Sequence, residues 1–148
     1  MGLYDGVQAS ASGMTAQRLR MDVIANNIAN INTTRTTRGG PYRKQDVVFM
    51  PRPTGFSELL PSILQRDRPL EAGRGVRVVS IIEDQGEPKR VYDPGHPDAD
   101  AEGYVLVPNI SLAHEMVDLI EATRAYEANA SAVGAAKTMN QAALELLT

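Results

Sequence analysis

Val7-Gln-Ala-Ser-Ala-Ser-Gly-Met14-Thr-Ala-Gln-Arg-Leu-Arg-Met21-Asp-Val-Ile-Ala-Asn-Asn-Ile28 carries a bulky apolar residue at every seventh position. An α-helix turns about 100° per residue, so Val7, Met14, Met21 and Ile28 fall in one stripe. Leu3, Ile24 and Ile31 occupy the companion heptad positions, and Ala11 and Ala25 widen the apolar face. Ser10 and Gln17 interrupt it, so the seam is not a clean leucine zipper. The spacing predicts a helix from Leu3 to about Asn32, roughly 45 Å long. A lone amphipathic helix of that length cannot bury its own stripe.

The same pattern returns at the other end of the chain. Ser111 is a suitable N-cap after the strand-like Tyr104-Val-Leu-Val, and a second helix is predicted from there to about Leu147. Leu112, Leu119, Tyr126, Val133 and Leu147 keep seven-residue spacing, with Met116, Thr123, Ala130 and Leu144 on the companion positions. Lys137 and Asn140 interrupt this stripe. Alanine is abundant between Ala125 and Ala143, which favours helix and lets a neighbouring helix approach closely.

The middle has a different character. Thr33-Thr-Arg-Thr-Thr-Arg-Gly-Gly-Pro41 ends the helical pattern with β-branched residues, glycines and proline. Strands are predicted at 42–50, 75–83, 89–92 and 104–107, with a long connection over 51–73. The fold class is therefore α+β, with long helices at both ends and a small β module between them. The expected divisions are 1–34, 35–110 and 111–148.

At 148 residues the chain suffices for about one modest core. Aromatic residues make up 5% and tryptophan is absent, so aliphatic and alanine packing must supply most of the stability. A net charge of −3 argues for neither nucleic acid nor a membrane surface. The charge is unevenly placed: six basic and two acidic residues up to Lys44, against two basic and five acidic from Gly103 onward. With no cysteine, thiol chemistry and thiolate metal sites are excluded. The start lacks the basic, apolar and small-residue regions of a secretory signal, and no apolar run reaches the length that spans a bilayer.

No arrangement of side chains reads as a catalytic centre. The basic stretch Arg35, Arg38, Arg43, Lys44 has only Tyr42 to stack a base, so it is read as a solvated or subunit-contacting loop and not as a nucleic-acid site. Asp98, Asp100, Glu102 and Gly103 mimic positions one, three, five and six of a calcium loop. Position twelve, however, is Asn109 where a bidentate Glu is required. A polar turn is the better reading. His96 and His114 lack partners at ligand spacing, and Gly73-Arg-Gly75 is too short to cradle a phosphate. No catalytic, metal, cofactor or small-molecule site is expected. The two stripes remain, and they could pack on each other within one chain or on neighbouring chains.

The stretch Ser12 to Thr34, with Ala25-Asn26-Asn27-Ile28-Ala29-Asn30 and Thr33 at its centre, resembles the N-terminal signature of the flagellar axial family of rod and hook subunits. Thr33 to Lys44, Val47-Val-Phe49, Val91 to Asn109, Glu115-Met-Val-Asp-Leu-Ile120, Arg124 to Asn129 and Lys137 resemble the proximal-rod branch of that family, in the right order. The resemblance implies that the terminal helices pair as a coiled-coil-like inner domain lining a channel, with the β module outside. It implies a structural subunit in the periplasmic part of the basal body, exported without a cleaved signal by the flagellar type III apparatus. The implied partners are copies of itself, other rod proteins and the rod-base adaptor, in a shaft that transmits torque. A non-polymerising adaptor of the export system is the alternative. On this reading Leu3, Val7, Met14, Met21, Ile24, Ile28, Leu112, Met116, Leu119, Tyr126, Val133 and Leu144 carry packing within and between subunits. Asn26, Asn27 and Asn30 either cap the first helix or satisfy polar groups there or across subunit contacts.

Overall fold

The periodic segments form the two helices. The computed structural model describes residues 3–52 and 75–145, and places α1 at Leu3–Ala29 and α2 at Leu112–Glu145. Between them come β1 (Gln45–Pro51), β2 (Val76–Glu83), β3 (Lys89–Tyr92) and β4 (Tyr104–Val107). The fold is α+β, as the alternation of periods predicts. The expected connection over 51–73 lies almost wholly outside the described residues.

β1 and β2 pair as a two-stranded ribbon. The Arg52 N–H donates to Gly75 O at 2.9 Å and the Asp84 N–H to Lys44 O at 2.8 Å, so the strands run antiparallel. β3 and β4 form a separate antiparallel hairpin in which Arg90 faces Leu106 and Tyr92 faces Tyr104. The two tyrosine rings meet edge to face at 5.3 Å, and the Arg90 guanidinium lies 4.7 Å from the Tyr104 ring centroid. Gly103 closes this hairpin at φ +83°, where a Cβ would come within 3.0 Å of the Tyr92 ring.

The chain folds as two compact units. The first comprises 1–18, 49–79 and 123–148. Among the described residues its buried side chains are Ser12 and Ala16 from α1 and Ala136 from α2. Gly13 lies so close to α2 that a Cβ there would stand 2.9 Å from Asn129 Oδ1. Ser12 also pins the start of β2, accepting the Val76 N–H at 3.0 Å while its hydroxyl donates to Ala9 O at 2.7 Å. The second unit comprises 19–48 and 80–122. Val23, Ile24 and Asn27 of α1 are buried in it, as are Val105 and Ile110 and, from α2, Glu115 and Ala122.

Beside Val23, Ile24, Val105 and Ile110, the buried side chains are small or polar, and many bulky ones stay outside. Leu112, Met116, Val117 and Ile120 on α2 are each about half exposed, at 46–55%. α2 thus carries apolar residues on an outer face as well as on the buried one, a distribution suited to a helix covered on more than one side.

Candidate functional site

In the second unit, the end of α1, the start of β1 and the start of α2 meet at one polar junction. Asn27 sits at its centre and is fully buried. A side-chain amide offers two N–H bonds and a carbonyl with two lone pairs, and Asn27 uses all four. Its Nδ2 donates to Gln45 O at 2.9 Å and to Glu115 Oε2 at 3.1 Å. Its Oδ1 accepts the Gln45 N–H at 2.9 Å and the Tyr42 hydroxyl at 3.0 Å. The amide therefore pairs with the Gln45 backbone as a neighbouring strand would, and holds β1 against the helix end. Each such bond contributes about 1 kcal/mol net, and orphaning a buried partner costs about 1–3 kcal/mol.

Glu115 belongs to the first turn of α2, where the helix dipole favours a carboxylate. It is 1% exposed and pairs with Lys44 Nζ at 2.8 Å through its other oxygen. Burial pushes the Lys44 ammonium down, but its bond to Glu115 and the charges of Asp46, Glu115 and Asp118 outweigh burial and hold it above the usual lysine range. Tyr42 is also raised, first by burial and then by the Glu83 and Glu115 charges. Nearby, Arg20 and Asp118 join the helices at 3.4 Å, each about one-third exposed. A pair that exposed contributes at most about 1 kcal/mol.

The other asparagines of the motif finish the helix. The Asn30 N–H and its side-chain amide both donate to Asn26 O, at 3.1 and 2.9 Å, and Asn30 Oδ1 accepts the Thr33 hydroxyl at 3.1 Å. Within the chain, Asn27 satisfies a buried junction and Asn30 engages the last turn of α1. Ala25 and Ala29 are exposed, and Ile28 is half-buried.

The predicted packing residues divide by position. Ile24 is buried, whereas Val7, Met14, Met21, Ile28, Leu119, Tyr126 and Val133 are half-buried. Leu112, Met116 and Leu144 are exposed, and the side chain of Leu3 lies outside the described residues. Buried beside Ile24, the side chains of Ser12, Ala16, Glu115, Ala122 and Ala136 lie outside the predicted packing set, while Asn27 belongs to the predicted motif. Their four-and-three spacing was present in the sequence. It was hidden because small and charged residues carry no apolar signal.

Several other charged groups among the described residues are engaged locally. Arg38 pairs with Glu83 at 3.0 Å, and Arg43 donates to Asp84 O and Gln85 Oε1. Asp98 accepts the Thr34 hydroxyl at 2.7 Å and lies 4.0 Å from Arg35. Asp100 accepts the N–H groups of Tyr104 and Glu102 and pairs with Arg90 at 3.3 Å; these contacts, the Tyr104 N–H foremost, hold its carboxyl below the ordinary range. The acidic stretch is thus a turn, and among the described residues no group of three or more acidic or histidine side chains could hold a metal. A cleft of about 580 Å³ beside it is lined by these same paired charges.

Residues 8–35 match the family model described as flagella basal body rod protein, and residues 101–146 match flagellar basal body rod FlgEFG protein C-terminal. The flagellar basal-body rod protein FlgC of Borreliella burgdorferi is 47% identical, and the alignment covers 99% of each chain. The protein of that name from Bacillus subtilis is 45% identical, again over 99% of both chains. That from Escherichia coli O6:H1 is 37% identical over 94% of this chain and 93% of its own. The chain belongs to the FlgC family of flagellar basal-body rod proteins.

Proposed function

We propose that this chain is a non-enzymatic structural subunit of the flagellar proximal rod, delivered by the flagellar export apparatus and built into the shaft that carries torque. Copies of itself, other rod proteins and the rod-base adaptor are its partners. The terminal helices form the inner, channel-lining part of the assembly, and the strands lie outside. The observation that carries this reading is the half-exposed face formed by Leu112, Met116, Val117 and Ile120. It lies on α2 away from the α1 junction, where a single copy leaves it wet. Open shafts are built from repeated contacts between unlike faces of successive subunits.

The test is location. Purified basal bodies are expected to contain the chain, and a side-chain-resolving map of the rod should place its helix pair around the channel. Recovery of the chain only from the cytoplasm, beside intact rods that lack it, would overturn the reading in favour of a non-polymerising adaptor.

A further inference from the structure

The helix pair has a feature that its apolar residues do not explain. Among the buried and half-buried positions on α2, a run follows four-and-three spacing: Glu115, Leu119, Ala122, Tyr126, Asn129, Val133 and Ala136. Most are small or plainly apolar, and α2 presents apolar residues on an outer face too. Such a helix can slide by one heptad, about 10.5 Å, and still meet α1 with a mostly apolar surface, Asn129 being the one polar side chain to arrive at an apolar place, that of Ala122. Leu119 would give way to Tyr126 and Tyr126 to Val133. At the polar junction the exchange fails, because Ala122 would arrive where Glu115 stood.

We propose that Asn27, Lys44 and Glu115 act as a register lock, allowing α1 and α2 to pair in one alignment only. In the shifted pairing, the Asn27 Nδ2–H now bonded to Glu115 would face a methyl group, and Lys44 would lose its 2.8 Å partner. The buried Asn27 donor left without an acceptor carries most of the penalty against the wrong alignment, since Lys44 keeps Asp46 at 3.7 Å and can reach water. The Arg20–Asp118 pair cannot set the register alone, since both side chains reach water and can find other partners. Asn27 simultaneously holds the Gln45 backbone, so the alignment of the helices is tied to the first residue of β1. Every copy then presents the same outer face.

The chain contains no cysteine, so engineered thiols report without background. In the full-length protein, R20C/D118C marks the observed alignment and R20C/A125C the alignment shifted by seven. Both pairs are treated with a short bismaleimide, because a contact between long side chains does not itself bring two cysteines to disulfide distance, in the native background and in one carrying N27L, K44M and E115L. The native background is expected to give intramolecular cross-links only from R20C/D118C. The apolar background should raise the R20C/A125C yield at least tenfold while keeping helical circular dichroism. Cross-linking confined to R20C/D118C in the apolar background overturns the lock. Loss of helical signal there overturns it as well, by making the junction a source of stability and not of alignment.

Discussion

Asn27 Nδ2 lies 3.1 Å from Glu115 Oε2, with the two side chains 0% and 1% exposed, so a helix end and a helix start are joined away from water. Because every polar atom of Asn27 is engaged, its removal leaves several groups wanting at once. Asn27→Ala orphans both backbone groups of Gln45 and one bond of Glu115, and should cost about 3 kcal/mol of stability. Asn26→Ala, at an exposed position, should cost less than about 1 kcal/mol. Urea unfolding of the full-length variants measures both. Equal losses at the two positions would contradict the central place given to Asn27.

The ion pair beside it is asymmetric in exposure, and its two halves should respond differently. Lys44→Met leaves a carboxylate that is 1% exposed without its counter-charge. Glu115→Gln leaves a lysine that is 24% exposed and can turn toward water, while glutamine still accepts from Asn27. Removing the partner of a buried charge costs about 3 kcal/mol, so Lys44→Met should be the more damaging, with Glu115→Gln near 1 kcal/mol. The difference in urea midpoint between the variants reads this order directly. The reverse order would mean that Glu115 is not the buried member in solution.

Much of this architecture is legible in the chain, and the reason is physical. Seven-residue spacing of Val7, Met14, Met21 and Ile28 reports helix whatever the helix packs against, and 89–92 and 104–107 are short runs with valine and tyrosine flanked by turn residues. Element ends were less accurate. α1 stops at Ala29, short of Asn32, because the Asn30 and Thr33 side chains take over from the helical ladder. β1 begins at Gln45, later than Tyr42, because the Tyr42 backbone N–H is bonded to Thr33 O. The buried face itself was not legible. A stripe search finds bulky residues such as Ile24, while Ser12, Ala16, Ala122, Ala136, Asn27 and Glu115 are buried as well. On α1, about 100° per residue sets Ala16 and Val23 well round the helix from Met14 and Met21.

Alkaline pH should loosen the same junction. Tyr42 is held above its ordinary 10.0 by burial, then by Glu83 and Glu115. Burial opposes the charge on Lys44, but its carboxylate neighbours prevail and leave it above its ordinary 10.5. Both groups keep their protons in the fold at pH values where the unfolded chain has begun to lose them. The folded state then binds more protons, so stability falls as pH rises. Their contribution is complete below about pH 10 and fades as pH climbs through the raised folded values. Urea midpoints recorded from neutral to strongly alkaline pH should decline in that window, and Tyr42→Phe should make the decline shallower. A midpoint that rises there would reverse the sign of the linkage.

Gly13 offers a test in the other unit, because two opposing effects meet at one atom. Replacing a helix-interior glycine by alanine ordinarily stabilises by about 0.5–1 kcal/mol through chain entropy. At this position the new Cβ would stand 2.9 Å from Asn129 Oδ1 and 3.0 Å from Asn129 Cγ. Asn129 cannot move away freely, since its Nδ2 donates to Ala125 O at 2.8 Å. Gly13→Ala alone should therefore gain nothing or lose slightly. In an Asn129→Ala background the obstacle is gone, and the same substitution should recover close to the full gain. The coupling, about 1 kcal/mol, is read from a double-mutant cycle on urea unfolding. Additive effects would show that α1 and α2 do not approach as closely at Gly13 as their small residues allow.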